Sequence, residues 1–82
     1  MKNNIIDYKR LSYLGDKVKA GTATKAEKDE FMLMLYKSGK ITAQQYKDYQ
    51  ANRNVDNLIN TALSIGAILL MGYLLKELLS EK

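Results

Sequence analysis

The sequence predicts an all-α protein, and three observations support this class. The 82 residues contain no proline, and the five glycines are dispersed. No run of alternating apolar and polar residues is flanked by turn residues, as a surface strand would be. Two short Gly-Thr segments instead have the residues that end one helix and begin the next. We therefore expect a short N-terminal helical hairpin domain followed by one long apolar helix.

Composition narrows the function classes. The sequence has no cysteine and no histidine, which excludes disulfides, thiol or imidazole catalysis and the ordinary zinc sites. A chain of 82 residues buries little apolar surface and needs an additional source of stability. We expect no metal and no cofactor, and we expect a membrane or a partner to contribute to stability.

The first predicted helix covers about residues 4–19. Tyr8, Leu11, Leu14 and Val18 recur at steps of three and four residues and form one apolar stripe. Gly15 lies inside this helix, where glycine costs about 1 kcal/mol relative to alanine. A break at Gly15 is the alternative.

Two segments repeat along the chain. KAGTATKAE begins at residue 19, and KSGKITAQQ begins at residue 37. Each copy contains a glycine, Gly21 or Gly39, that suits the left-handed conformation at the end of a helix. The threonine three residues later, Thr24 or Thr42, suits the N-cap of the next helix. The repeat therefore predicts two tight turns.

Both predicted helix starts have the spacing of a capping box. Thr24 is followed three residues later by Glu27, and Thr42 is followed three residues later by Gln45. In this motif each side chain bonds the other residue's free backbone N–H. We therefore expect helices at about 25–37 and from 43 onward.

The second predicted helix contains FMLMLY at residues 31–36, a run that covers most of the helix circumference. One neighbouring helix cannot bury all six side chains, and methionine suits adaptable contacts. We predict that Phe31, Met32 and Tyr36 form a surface for a protein partner. An ordinary core helix is the alternative.

A hinge is predicted in ANRNVDN at residues 51–57, because asparagine is a poor helix former. It divides a basic helical domain with two capped turns, residues 1–54, from an apolar helix with a short charged tail, residues 55–82. An unbroken helix from 43 to 80 is the alternative, since no glycine lies between Thr42 and Gly66.

The segment 57–75 has no charged residue and is close to the roughly 20 residues that cross a bilayer core. Tyr73 lies near the end of this segment and Lys76 follows it directly, as anchors at a membrane interface do. We expect a single transmembrane helix that leaves about seven residues outside. A helix buried in an oligomer or larger assembly and a helix lying on the membrane surface are the alternatives.

Polar and small residues predict that this helix pairs with another helix. The predicted interface residues are Asn57, Asn60, Thr61, Ser64, Gly66 and Ala67. Most of them fall on one helix face, and Gly66 forms a small-xxx-small pair with Ala62. In lipid, such residues usually face another helix, so we expect a homo-oligomer.

Charge distribution predicts the orientation. Residues 1–56 contain 11 Lys and Arg against 7 Asp and Glu, whereas residues 76–82 contain two of each. The first ten residues hold only a two-residue apolar run, which is too short for a signal peptide. The positive-inside rule then places the N-terminal domain in the cytoplasm, next to anionic lipid.

Glu27, Asp29 and Glu30 form the only cluster suited to acid–base chemistry. Acidic residues in a first helical turn also stabilise the helix dipole, and no histidine, cysteine or phosphate-binding loop accompanies them. We therefore predict a protein that is not an enzyme.

Nucleic-acid binding is a weaker alternative. Two helices joined by a tight glycine turn, in a chain with a pI of 9.3, are compatible with a helix-turn-helix. However, Lys47 and Arg53 alternate with Asp48 and Asp56, whereas a reading helix clusters its basic residues. QQYKDYQANRN is the one stretch typical of such a surface.

The segment 32–50 resembles the SHOCT (short C-terminal) domain, a two-helix hairpin. The matching residues are Met32, Leu35, Gly39, Ile41, Thr42 and Tyr46. Gln50 and Arg53 depart from the family pattern, which tends to have Lys and a final leucine there. The resemblance implies a hairpin for oligomerisation or protein interaction.

Taken together, these patterns predict a non-enzymatic, membrane-anchored protein that oligomerises and presents its basic domain to an unidentified protein partner. The alternative is a structural subunit of a larger assembly, such as a virus particle or secretion complex, in which the apolar helix is buried in a bundle. A holin-like pore former and a helix-turn-helix DNA binder are further alternatives.

Overall fold

The computed structural model describes residues 7–80, and within this range the chain forms helices and no strand. Helix α1 spans Tyr8–Ala20, α2 spans Lys25–Lys37, α3 spans Ala43–Gln50 and α4 spans Val55–Ser80. The prediction of an all-α fold with one long apolar C-terminal helix is confirmed.

Helix α1 begins later than predicted and continues through its glycine. Residues 4–6 of the predicted helix lie outside the described residues. Asp7 is the N-cap, and its carboxylate accepts a hydrogen bond of 3.1 Å from the backbone N–H of Arg10. Gly15 does not break the helix, since the ring of Phe31 packs on the surface that it leaves free.

Both predicted turns are present. Gly21 and Gly39 have φ angles of 76° and 75°, the left-handed region that glycine adopts without a steric cost. In the first turn the backbone N–H of Thr22 donates to the carbonyl of Lys17 at 3.0 Å. This bond satisfies a carbonyl that the helix end leaves without a partner.

Both predicted capping boxes are also present. The backbone N–H of Glu27 donates to Thr24 Oγ1 at 3.1 Å, and Glu27 Oε1 accepts from the Thr24 backbone at 2.9 Å. Thr42 and Gln45 make the same reciprocal pair at 3.0 and 2.8 Å. The side chains therefore set the starts of α2 and α3, as their spacing predicted.

Residues 51–54 separate α3 from α4, so the helix is not continuous from 43 to 80. Asn52 and Asn54 have φ angles of 62° and 49°. The left-handed region disfavours most residues with a Cβ, and asparagine is among those that tolerate it best. The helix is thus interrupted within the predicted hinge segment, over residues 51–54.

The core is supplied mostly by the first three helices. Its buried residues are Leu11, Leu14, Val18, Phe31, Met32, Leu35, Ile41, Tyr49 and Ala62. Only Ala62 belongs to α4. The long apolar helix therefore covers one side of a core that α1, α2 and α3 build.

Phe31 is the contact that joins α1, α2 and α4. An ideal Cβ on Gly15 would lie 3.6 Å from Phe31 Cε1, and one on Gly66 would lie 3.4 Å from Phe31 Cζ. The tip of the ring thus reaches both glycines. Small residues at 15 and 66 let α1 and α4 approach the same ring.

Replacing Gly66 with isoleucine is expected to destabilise the fold, because the added atoms meet the Phe31 ring. Overpacking of a core typically costs about 1–3 kcal/mol. Gly72→Ile is the matched control, since a Cβ there meets no atom within 4 Å. Urea unfolding followed by circular dichroism measures both variants. Equal loss of stability in the two would contradict the packing described for Gly66.

Candidate interaction and membrane surface

Helix α4 has an inner face that packs on the rest of the chain. Ala62 and Gly66 are buried on this face, and Phe31 lies against Gly66. Farther along the same face, the ring of Tyr73 stacks on that of Tyr8 with centroids 4.4 Å apart. The inner face therefore runs over at least twelve residues, from position 62 to position 73.

The opposite, outer face begins with polar side chains. Asn57, Asn60, Thr61, Ser64 and Ala67 are all exposed. Their spacing of three and four residues places them in one row along the helix. The structure thus brings together five of the six predicted interface residues.

The outer face becomes apolar over its last turns. The side chains of this patch are between 54% and 78% exposed. The members of this apolar patch are Ile68, Met71, Leu74, Leu75, Leu78 and Leu79. Monomeric proteins seldom expose large contiguous apolar patches, and those that occur mark interaction or membrane surfaces.

Gly66 lies on the inner face and not with the other predicted interface residues, so that assignment is wrong for the folded monomer. Ala62 faces inward with it. Helical periodicity explains this, because positions 62 and 66 lie opposite positions 60, 64 and 67 on the helix circumference. Gly66 of this small-residue pair lies against Phe31 of the same chain.

Phe31 and Met32 are also misassigned as a partner surface. Their exposed fractions are 1% and 0%, because both lie in the core between the helices. Tyr36 is 38% exposed and stacks on Tyr46, with centroids 4.6 Å apart. Of the three predicted partner residues, only Tyr36 reaches the surface.

Tyr73 and Lys76 lie near the end of α4, where sequence reasoning placed membrane-interface anchors. Tyr73 is half-buried by its stack on Tyr8, and Lys76 is exposed. Both line a surface groove with Asp7 at the start of α1. Their role as membrane anchors stays a prediction.

The cluster of Glu27 and Glu30 connects α2 to α1. Glu30 accepts two hydrogen bonds of 2.8 and 2.7 Å from the guanidinium of Arg10, which lowers the pKa of its carboxyl group. Glu27 lies 3.4 Å from Lys17, and its pKa is lowered chiefly by the Thr24 backbone hydrogen bond. A carboxyl group that acts as a general acid near neutral pH needs a raised pKa, which is the opposite direction.

Asp29 connects α2 to α3. The hydroxyl of Tyr49 donates to Asp29 Oδ1 at 2.6 Å, and this bond is the main cause that lowers the pKa of Asp29. Burial, followed by the same hydrogen bond, raises the pKa of the Tyr49 hydroxyl. All three carboxylates thus connect α2 to a neighbouring helix. The sequence indicated a helix-dipole role for them, and only Glu27 lies in the first turn of α2.

The polar surface of α3 is partly engaged within the chain. Gln44 Nε2 donates to Asp48 Oδ1 at 2.8 Å, and the guanidinium of Arg53 lies 3.7 Å from the same carboxylate. Two of the side chains that a DNA reader would extend to base edges therefore bind an aspartate. Within residues 7–80, no three potential metal-ligating side chains cluster.

Sequence reasoning missed two contacts that position α4. The first is the pairing of Gly15 with Gly66 across Phe31, and the second is the stack of Tyr8 on Tyr73. A glycine inside each of the two helices, Gly15 in α1 and Gly66 in α4, was the available signal for the first contact. No local pattern indicates the second, because it depends on how α1 and α4 lie together.

No protein-family model, curated protein or solved structure significantly matches this chain. The SHOCT resemblance of residues 32–50 therefore stays a prediction. The structure does form a hairpin there, from α2, a glycine turn and α3.

Changing Ile68 and Met71 together to lysine is expected to leave the fold intact, because both side chains are mostly exposed on the outer face. Surface substitutions of this kind usually change stability by less than about 0.5 kcal/mol each. Helix content and thermal midpoint by circular dichroism, measured in detergent-free buffer, test this. A loss of helix content would show that the outer face is already covered by other parts of the chain.

Proposed function

We propose that the protein is a non-enzymatic, membrane-anchored interaction protein in which α4 acts as both anchor and self-association element. The main support is the outer face of α4. It exposes six large apolar side chains to solvent on one helix. Soluble monomers rarely expose such a large apolar surface to water, whereas a bilayer or a second protein chain would cover it.

Helix length agrees with a membrane span. Residues Val55–Leu79 are long and apolar enough to cross a bilayer, and only 11% of their most apolar stretch is buried. A core helix of a soluble protein is mostly buried. The low burial therefore favours a membrane or a partner over an ordinary core role for this helix.

Charge supports the orientation proposed for the anchor. The excess of Lys and Arg lies before α4, and the residues from 76 to 82 are balanced. Basic segments next to a span stay on the cytoplasmic side and are attracted by anionic lipids. The domain of α1, α2 and α3 would therefore lie in the cytoplasm, with Tyr73 and Lys76 near the far membrane interface.

The outer face also favours a parallel orientation when two copies of α4 associate. Its first half is polar from Asn57 to Ser64, and its second half is apolar from Ile68 to Leu79. Two copies side by side in a parallel arrangement match polar with polar and apolar with apolar. An antiparallel pair would place asparagine and serine against leucine, which leaves their polar groups without partners.

A structural subunit of a larger assembly, such as a virus particle or secretion complex, is the second candidate. It is favoured by the polar half of the outer face, because Asn57, Asn60 and Thr61 find hydrogen-bond partners on protein more readily than in lipid. In that case another protein would cover α4 in the absence of any membrane.

Cell fractionation separates these two proposals. We expect the full chain to pellet with membranes and to resist extraction by alkaline carbonate. Lysine near the centre of a span costs about 2.5–3.5 kcal/mol in insertion experiments. The Ile68→Lys, Met71→Lys variant should therefore move to the supernatant. Leu79→Lys is the matched control, because a lysine near the helix end can extend to the interface.

Discrete oligomers of the unmodified chain in the supernatant, without detergent, would contradict the anchor and support the assembly subunit. Carbonate resistance of the Ile68→Lys, Met71→Lys variant would show that membrane association does not depend on the outer face of α4.

Disulfide trapping tests the parallel pair, since the native chain has no cysteine. Ser64→Cys and Met71→Cys place single thiols on the outer face, and Ala62→Cys is the inner-face control. Parallel pairing predicts oxidised dimers of each outer-face variant alone. Dimers formed only when the two outer-face variants are mixed would indicate an antiparallel pair, and efficient dimers of Ala62→Cys would assign the interface to the other face.

A further inference from the structure

Helix α1 lies antiparallel along the segment of α4 that would cross a bilayer. Tyr8 at the start of α1 stacks on Tyr73 near the end of α4, and Gly15 and Gly66 meet at the same Phe31 ring. These two contacts place α1 beside the middle and the last third of the candidate span.

Charged side chains of α1 and its N-cap lie along this contact. Asp16 and Lys19 line one surface groove together with Leu63 and Ala67 of α4. Lys9 and Asp7 line a second groove beside Ile68. If α4 crossed a bilayer in this arrangement, these charges would enter the hydrocarbon, where ionised side chains are strongly disfavoured.

The described conformer and a transmembrane α4 therefore exclude each other. In one state α1 and Phe31 cover the inner face of α4. In the other state this face contacts lipid or another helix. The two states cannot exist at the same time. The outer face is exposed in this conformer, so docking of α1 leaves the apolar patch available for a first contact with a membrane.

The connection to α3 is suited to a change between these states. Residues 51–54 join α3 to α4, and Asn52 and Asn54 both have positive φ angles. Hinges are short connections whose backbone angles take up a large rotation. Of the buried core residues only Ala62 belongs to α4, and the other α4 side chains that pack on this core are partly buried.

From these observations we infer that packing of α1 and Phe31 on α4 is an autoinhibitory contact, and that α4 spans a membrane only after it separates from α1 by rotation at residues 51–54. This inference rests on the proposed function and adds its regulation. The soluble conformer is the closed form. Contact of the apolar patch with lipid opens it.

A disulfide between α1 and α4 tests the inference directly. Tyr8→Cys with Tyr73→Cys replaces the stacked pair that joins these helices, in a chain that has no other thiol. Tyr36→Cys with Tyr46→Cys is the matched control. It replaces a stacked pair of similar geometry, with centroids 4.6 Å apart, which joins α2 to α3 and leaves α4 unrestrained.

Each full-length variant is added, oxidised or reduced, to vesicles of phosphatidylcholine and phosphatidylglycerol, and the carbonate-resistant fraction is measured. Oxidation should lower this fraction about tenfold or more for the α1–α4 pair, since apparent affinity scales with the population of the competent conformer. The α2–α3 pair should insert equally in both states. Helix content of the reduced variants establishes that they fold.

The outcomes separate the two proposals. Equal insertion of the oxidised and reduced α1–α4 pair would overturn autoinhibition and leave membrane anchoring in place. Failure of the native chain and of every reduced variant to insert would overturn both. Failure of Tyr8→Cys and Tyr73→Cys to crosslink in buffer, both with an oxidant and with a bismaleimide long enough to span the space of the two rings, would contradict the closed contact from which autoinhibition is inferred.

Discussion

The arrangement of α1, α2 and α4 depends on the ring of Phe31 and the two glycines that border it. The ring belongs to α2, and its tip lies against Gly15 of α1 and Gly66 of α4. An ideal Cβ at either glycine would already lie in van der Waals contact with this ring, so a larger side chain would meet it. Ala62 is the one residue of α4 in the buried core, and seven partly buried side chains of the same helix pack against that core. One aromatic ring thus lies at the junction of three helices, while most of α4 stays exposed.

The two faces of α4 have different partners as a consequence. The inner face carries Ala62, Gly66 and Tyr73, and it packs on the domain built by α1, α2 and α3. The outer face turns from polar to apolar along its length and has no partner within the described part of the chain. A membrane span would use the whole circumference of the helix, so α1 and lipid compete for the inner face. We propose that the protein functions through this competition and not by catalysing a reaction.

Local signals predicted the helices well and the tertiary contacts poorly. Thr24 and Thr42 set helix starts through side chains three residues away, and Gly21 and Gly39 end helices by their own backbone angles, so sequence spacing is sufficient. Phe31 and Gly66 were assigned to outside partners because apolar and small residues serve inner and outer contacts equally. Only the docking of α1 on α4 decides between them, and this docking depends on residues far apart in the chain.

We propose that α1 and a bilayer compete for one face of α4. The most direct measurement is the distance between spin labels at Lys19→Cys and Asn60→Cys, which are both exposed and lie on α1 and α4. We predict one short, narrow distance in buffer and a longer, broader distribution in carbonate-resistant protein on vesicles. The same short distance in the inserted protein would contradict the account.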